Sequence, residues 1–216
     1  INRQEMVDKI LQGHGKVGND HPIGPANQYF ASELPQLELD VDKAKFYMKA
    51  AGLTELNVDL SASDAAFTGA VDASHLYHTS AKGVGININV IQEPADGYWS
   101  KGWLEKGWSA GYWSGRATED WMFSTVYERG VPWNNNQWEN ARFQELLLSA
   151  RAELDSDKRR DQYTEMQMLC SEEGGVIVPM YANTVDANTT KLAHGPDLGN
   201  LWQMDSNRIS ERWWFA

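Results

Sequence analysis

Apolar residues recur at helical spacing from the first residues of the chain. In "NRQEMVDKILQG", Met6, Ile10 and Leu11 share a face, Asn2 stands where an N-cap belongs and Gly13 ends the run. Residues 15 to 35 are rich in glycine, proline and asparagine and predict a long loop. "DVDKAKFYMKAAG" predicts a second helix, carrying Ala44, Phe46, Tyr47 and Met48 and stopping at Gly52. "LNVDLSA" alternates with period two, as a half-buried strand does. Residues 64 to 82 predict a mostly helical stretch with Phe67, Val71 and His75 four apart, and "VGININVIQ" is the clearest strand of the chain.

A short helix in "ADGYWSKGWLEKG", a strand in "WSAGYWSG" and a helix in "TEDWMFSTVYERG" follow. Beyond the polar loop "VPWNNNQW" come two long helices. The first sets Phe143, Leu146, Leu147, Ala150 and Leu154 on one stripe, and the second runs from about Asp157 to Glu172 behind the cap candidates Asp155 and Ser156. "VIVPMY" is an apolar strand, and after Ala182 the pattern is extended and irregular. Helices alternating with strands near 55–60, 86–92, 108–113 and 176–180 predict an α/β fold: an open mixed sheet covered by helices, with 86–92 and 108–113 as neighbouring strands.

Composition narrows the function. A formal charge of −11 and a pI near 4.9 argue against a nucleic-acid partner, whose binders carry basic patches. The lone cysteine, Cys170, excludes an internal disulfide framework and a cysteine metal cluster, and its place on an amphipathic helix reads as core. The longest apolar runs fall far short of the ~20 residues that span a bilayer. The chain opens at Ile1, directly in a helical pattern, which reads as a processed product or a fragment. Seven of its ten tryptophans fall between Trp99 and Trp138. Clustered tryptophan beside Gly, Asn and Tyr suits a binding surface, because flat rings offer large contact area at low entropic cost.

Few residues suggest catalysis. His75 and His78 form an H-x-x-H, but no acid follows in the zincin manner, so helix surface or packing accounts for them and no metal is expected. There is no G-x-S-x-G elbow and no phosphate loop. Glu119 and Asp120 stand in a first helical turn, where the helix dipole favours acids. Between strand and helix, in "GYWSGRATEDW", sits Arg116. It is either an exposed cation bridging to Glu119 or Asp120, or a ligand group at the strand end where open α/β sheets bind ligands, flanked by Tyr112, Trp113 and Trp121.

Several segments, in order, resemble the C-terminal half of the solute-binding proteins of ABC importers in the peptide/opine/nickel family. "INRQEMVDKILQGHGKVG", "DVDKAKFYMKAAGL" and "GVGININVIQ" are similar to its lobe-opening helix, its Lys-Ala helix and the strand after a Gly-Ile helix end. "YWSGRATEDWMFSTVY" resembles its Trp-Gly strand end, and "NNNQWENARFQELLLSARAELDSDKRRDQYTEMQMLCSEEGGVIVPMY" its two long helices and closing strand. The resemblance implies one lobe of a two-lobed, type II-like periplasmic receptor that captures a small solute and delivers it to a membrane permease, without catalysis or cofactor. Residues 1–182 would be the solute-binding lobe, and 183–216 a tail returning to an N-terminal lobe absent from this chain.

Peptide-binding members of that family place an aspartate just after the Trp-x-Gly, to take the peptide amine. Here the place is held by Arg116, a charge reversal that disfavours an ammonium group and favours an anion. The expected ligand groups are therefore Arg116, Trp113, Tyr112, Trp121 and Trp99, and the expected solute is acidic, opine-like, phosphorylated or otherwise non-standard peptide-like, or an amphipathic sugar derivative. The alternative is a carbohydrate-binding module or carbohydrate-active enzyme built on the tryptophan cluster, which requires Glu119 and Asp120 to form an inward carboxylate pair rather than point outward. In the tail, Trp213, Trp214 and Phe215 are expected to seek cover, with self-association through a second copy favoured over folding back or staying mobile.

Overall fold

The computed structural model describes residues 1–216, which divide into two compact units. Unit 1 comprises residues 1–19, 35–113 and 179–181; unit 2 comprises 20–34, 114–178 and 182–216.

Unit 1 is built on a parallel strand–helix–strand element. β2 (Leu56–Ala62) pairs in register with β3 (Ile86–Gln92) from Leu56↔Ile86 to Ala62↔Gln92, and α3 (Ala70–Lys82) connects them. The alternation read in "LNVDL" is real. Val58 and Leu60 face a core shared with Ile88, Val90, Ala81, Tyr77 and Trp108, while Asn57–Asn87 (3.1 Å) and Asp59–Asn89 (2.9 Å) pair across the solvent face. Gly85 makes the register possible. Its φ is +82°, and a Cβ there would lie 2.8 Å from the Thr54 carbonyl oxygen, just where its own carbonyl receives the Leu56 N–H. α1 (Arg3–Ile10) is capped by Asn2, whose Oδ1 accepts the Glu5 N–H at 3.1 Å, and buries Met6 and Val7. α2 (Val41–Ala50) is capped by Asp40 but buries only Met48, leaving Phe46 and Tyr47 exposed.

Three expectations need correction. Residues 86–92 and 108–113 are not neighbours. The Ser61 N–H donates to the Trp108 carbonyl and the Ala110 N–H to the Ser61 carbonyl, so β2 lies between them. Nor does 108–113 continue as a strand. The Tyr98 hydroxyl donates to the Ala110 carbonyl at 2.6 Å and takes the acceptor a ladder would use. The expected loop from residue 15 contains a short strand, β1 (Gly15–Val17), paired with β4 (Met180–Ala182); of the expected strand 176–180 only Met180 lies in β4, since Pro179 has no N–H to extend the ladder. α4 (Tyr98–Lys101) is the short helix expected there.

Unit 2 is helical, with an aromatic core. α5 (Glu119–Val126), α6 (Ala141–Ala152) and α7 (Ser156–Glu173) are capped by Thr118, Asn140 and Asp155, each through its side-chain oxygen. Phe123 meets Phe143 edge-on at 5.2 Å, and Tyr29 stacks on Tyr163 at 5.5 Å. The α6 stripe buries Phe143, Leu146, Leu147 and Ala150, whereas Leu154 is 92% exposed: the helix ends at Ala152 and the extended Glu153 carries it off the stripe. Cys170 is buried, and burial pushes its thiol well above the usual range.

Residues 20–34 form a loop, yet His21, Ile23, Tyr29 and Ala31 are buried. A buried loop has backbone groups that water cannot reach, so helical side chains must serve them. Gln167 of α7 does so twice: its Oε1 accepts the Ala31 N–H at 3.0 Å, and its Nε2 donates to the Tyr29 carbonyl at 2.8 Å while also donating to the Tyr163 carbonyl of its own helix at 2.9 Å.

The tail folds on itself. β5 (Leu192–His194) pairs antiparallel with β6 (Trp213–Phe215), and His194 packs on Trp213 at 4.6 Å. Between them lie a left-handed turn, α8 (Gln203–Asn207), and the short α9 (Ile209–Arg212). Asp205 joins these pieces, accepting from the Gly199 N–H, Arg212 Nη1 (2.9 Å) and Trp213 Nε1 (3.3 Å). The Gly199 hydrogen bond in particular holds its carboxyl below the usual range. Trp214 and Phe215 are left 53% and 83% exposed.

Replacing Gln167 by Leu strands the Ala31 N–H and the Tyr29 carbonyl in the core, and should cost on the order of 2–4 kcal/mol in denaturant unfolding of the chain. Burial also lowers the His21 pKa from 6.5 to about 4, so between these values the unfolded chain binds a proton that the folded chain refuses. The stability contributed by neutral His21 is complete above pH 6.5 and is lost as pH falls toward 4, at ~1.4 kcal/mol per unit. Melting curves across that range should show a steeper loss for the wild type than for His21→Gln.

Candidate functional site

Arg116 lies at the turn into α5, and unit 2 fixes that turn from several sides. Thr118 Oγ1 caps the helix by accepting the Trp121 N–H at 3.2 Å, Asn27 Nδ2 donates to the Arg116 carbonyl at 3.0 Å, and Trp202 Nε1 donates to the Gly115 carbonyl at 2.9 Å. The guanidinium lies over the Trp121 ring, 5.4 Å from its centroid, and Nη1 donates to the carbonyl (2.8 Å) and hydroxyl (3.0 Å) of Ser114 and to the Gly115 carbonyl (3.3 Å). A planar cation stacked on indole presents its donors edgewise, the arrangement that receives carboxylate or phosphate oxygens.

The surface-cation reading of Arg116 placed it on Glu119 or Asp120, and neither acid pairs with it. Glu119 is 3% exposed, and its Oε1 accepts the Tyr29 N–H at 2.7 Å. Asp120 receives Arg151 Nε at 2.9 Å, which ties α6 to α5. The two acids serve separate structural ends and form no carboxylate pair.

Trp99, Tyr112 and Trp113 belong to unit 1, where they form a second group. The ring of Trp99 meets Tyr112 at 5.7 Å and Trp103 at 5.8 Å, and Trp103 meets Trp113 at 5.8 Å, all near perpendicular. A regular strand would send Tyr112 and Trp113 to opposite faces; because residues 111–113 lie outside the ladder, both join one cluster. Trp103, Asn27 and Trp202 were missed by the sequence reading. Trp103 shares the tryptophan run and could have been named with it, whereas Asn27 and Trp202 reach the turn only through tertiary contact. Of the histidine pair, His75 is exposed and His78 Nδ1 contacts the Ile88 carbonyl oxygen at 2.7 Å, as packing on β3 requires.

No helix is long and apolar enough to cross a membrane. The family model for bacterial extracellular solute-binding proteins, family 5 (middle region), matches residues 1–135, and the chain belongs to that family. No curated protein matches the chain by sequence. Among solved structures it is similar to NikZ of Campylobacter jejuni in complex with Ni(L-His), with a TM-score of 0.77 at 15% identity over 99% of this chain and 46% of NikZ. It is similar also to the periplasmic binding protein DppA of Helicobacter pylori in complex with peptide STSA, with a TM-score of 0.72 at 20% identity over 84% of this chain and 37% of DppA. AgaA of A. tumefaciens R10 in complex with agropinic acid gives 0.70 at 16% identity, over 84% and 38%. These neighbours are two-lobed periplasmic binding proteins, and the chain spans 37–46% of their length.

Glu119→Ala should lower stability by about 1–3 kcal/mol, by leaving the Tyr29 N–H unserved in the core. Glu119→Gln, which keeps an acceptor, should recover most of that loss in the same melting experiment. Equal losses from both would mean that the charge itself is needed.

Proposed function

We propose that this chain is the second lobe and tail of an extracytoplasmic solute-binding receptor of an ABC importer. The receptor captures a small solute bearing an anionic group, acidic or opine-like in character, and delivers it to a membrane permease in the periplasm. The observation that carries this reading is Arg116, stacked on Trp121 at a turn that Asn27 and Trp202 hold in place, within a chain of a solute-binding family. A guanidinium in that setting attracts a carboxylate or phosphate and repels an ammonium group brought to the same point. Residues 183–216 return to the other lobe, which covers Trp214 and Phe215. Catalysis has no part in this reading.

The test is ligand-dependent melting and uptake by the full-length receptor across a panel of acidic and neutral solutes. Arg116→Asp should weaken binding of the acidic solute ~100-fold or more and abolish its uptake, with the melting temperature of the unliganded receptor unchanged. Unaltered binding would make Arg116 a surface cation and remove the basis for an anionic solute.

A further inference from the structure

β4 ends at Ala182 and β5 begins at Leu192. Between them the chain has no regular secondary structure until a turn, closed by the Leu192 N–H on the Thr189 carbonyl at 3.0 Å. Every residue from 182 to 191 is exposed. Within this segment Asp186-Ala187-Asn188-Thr189-Thr190 sets a carboxylate two positions before an asparagine and a hydroxyl two positions after it. Asn188 alone among the asparagines of the chain has Ser or Thr at that distance, and no proline intervenes. An asparagine so followed is the acceptor pattern for N-linked sugars, and it is used on exposed loops.

The surroundings of Asn188 suit that chemistry. An amide nitrogen is a poor nucleophile, so a transferring enzyme has to grip the carboxamide and the groups around it. In an extended chain, residues two apart project to the same side. Such an enzyme, holding the segment extended, meets the Asp186 carboxylate, the Asn188 carboxamide and the Thr190 hydroxyl in one row. The hydroxyl both donates and accepts, and the carboxylate offers a charged handle to a cationic side chain. Little has to be undone first. Asn188 Nδ2 donates to the carbonyls of Thr189 and Leu192, both at 3.2 Å, and the Met204 N–H donates to Asp186 Oδ2 at 2.5 Å. All three bonds are exposed, so water replaces a lost partner and the net loss is small.

We propose that Asn188 is the acceptor of an N-linked oligosaccharide, with Asp186 and Thr190 as the flanking groups that select it. The donor is an oligosaccharide carried on a polyprenyl diphosphate. Asn188 Nδ2 gives up one proton and bonds to the anomeric carbon. The bond from that carbon to the diphosphate oxygen breaks, and its electron pair leaves with the polyprenyl diphosphate. No oxidant or reductant takes part. The inference rests on the reading of the chain as extracytoplasmic; it does not depend on Arg116 or on the identity of the solute. A glycan there keeps residues 186–190 in solvent and shields an open segment from proteases. It leaves the β5–β6 end, with Trp214 and Phe215, free to return to the other lobe.

The test expresses the full-length receptor from its complete gene in a host that carries a bacterial oligosaccharyltransferase and its donor lipid. An exported protein with a proven acceptor site serves as the control. The intact mass of the receptor should rise by one oligosaccharide, and fragmentation of the tryptic peptide ending at Lys191 should place it on Asn188. Asn188→Gln, Thr190→Ala and Asp186→Ala should each lose the increase, whereas Thr190→Ser should keep it. An unmodified receptor beside a modified control overturns the site. So does a mass increase that survives Asn188→Gln, or one indifferent to Asp186→Ala or Thr190→Ala. Cell fractionation checks the premise separately: if the receptor stays in the cytoplasm, the extracytoplasmic reading falls, and the acceptor site with it.

Discussion

Unit 2 depends on the hydrogen bonds that serve a buried loop. Residues 20–34 bring Ile23, Tyr29 and Ala31 into the interior without the ladder or helix that would satisfy their backbone. Gln167 and Glu119 substitute for that missing secondary structure, meeting the chain at Tyr29 and Ala31 from α7 and α5. An unserved amide or carbonyl there would cost more than a typical hydrogen bond contributes, so both polar side chains are worth burying. The stacking of Tyr29 on Tyr163, and of Tyr163 with Phe123, follows from the position that this clamp imposes.

The same economy of charge shapes the turn before α5. Glu119 is committed to the core and Asp120 to Arg151, so the helix start satisfies its acids without drawing on Arg116. Arg116 instead rests on Trp121, with its carbonyl held by Asn27. Position, rather than a high local density of charge, makes this residue a candidate for ligand recognition.

In unit 1 the constraint is the parallel register of β2 and β3. Once Leu56 opposes Ile86, the strands end together, and Ser61, Glu93 and Tyr98 meet at one edge. The aromatic cluster extends from that edge because Tyr98 ends the ladder at Ala110 and lets residues 111–113 leave the sheet. A strand cut short by one phenol is thus what brings Tyr112 and Trp113 to the same side.

The sequence by itself determined the elements whose signals are local. Caps at Asn2 and Asp155, the period-two alternation of "LNVDL" and the apolar stripe of α6 from Phe143 to Ala150 each depend on residues a few positions apart, and each appears where the pattern put it. The segment order also carried the family. Strand neighbours were not legible, because the choice of β2 as the middle strand is made by bonds between Ser61 and residues some fifty positions away, to which no local period refers. The burial of Glu119 was hidden for the same reason: its partner is the Tyr29 N–H, ninety residues earlier in the chain. Arg116 and the tryptophan run could be named from residue type and spacing, but the anchoring of Glu93 on the Ser61 hydroxyl, 32 positions earlier in the chain, could not.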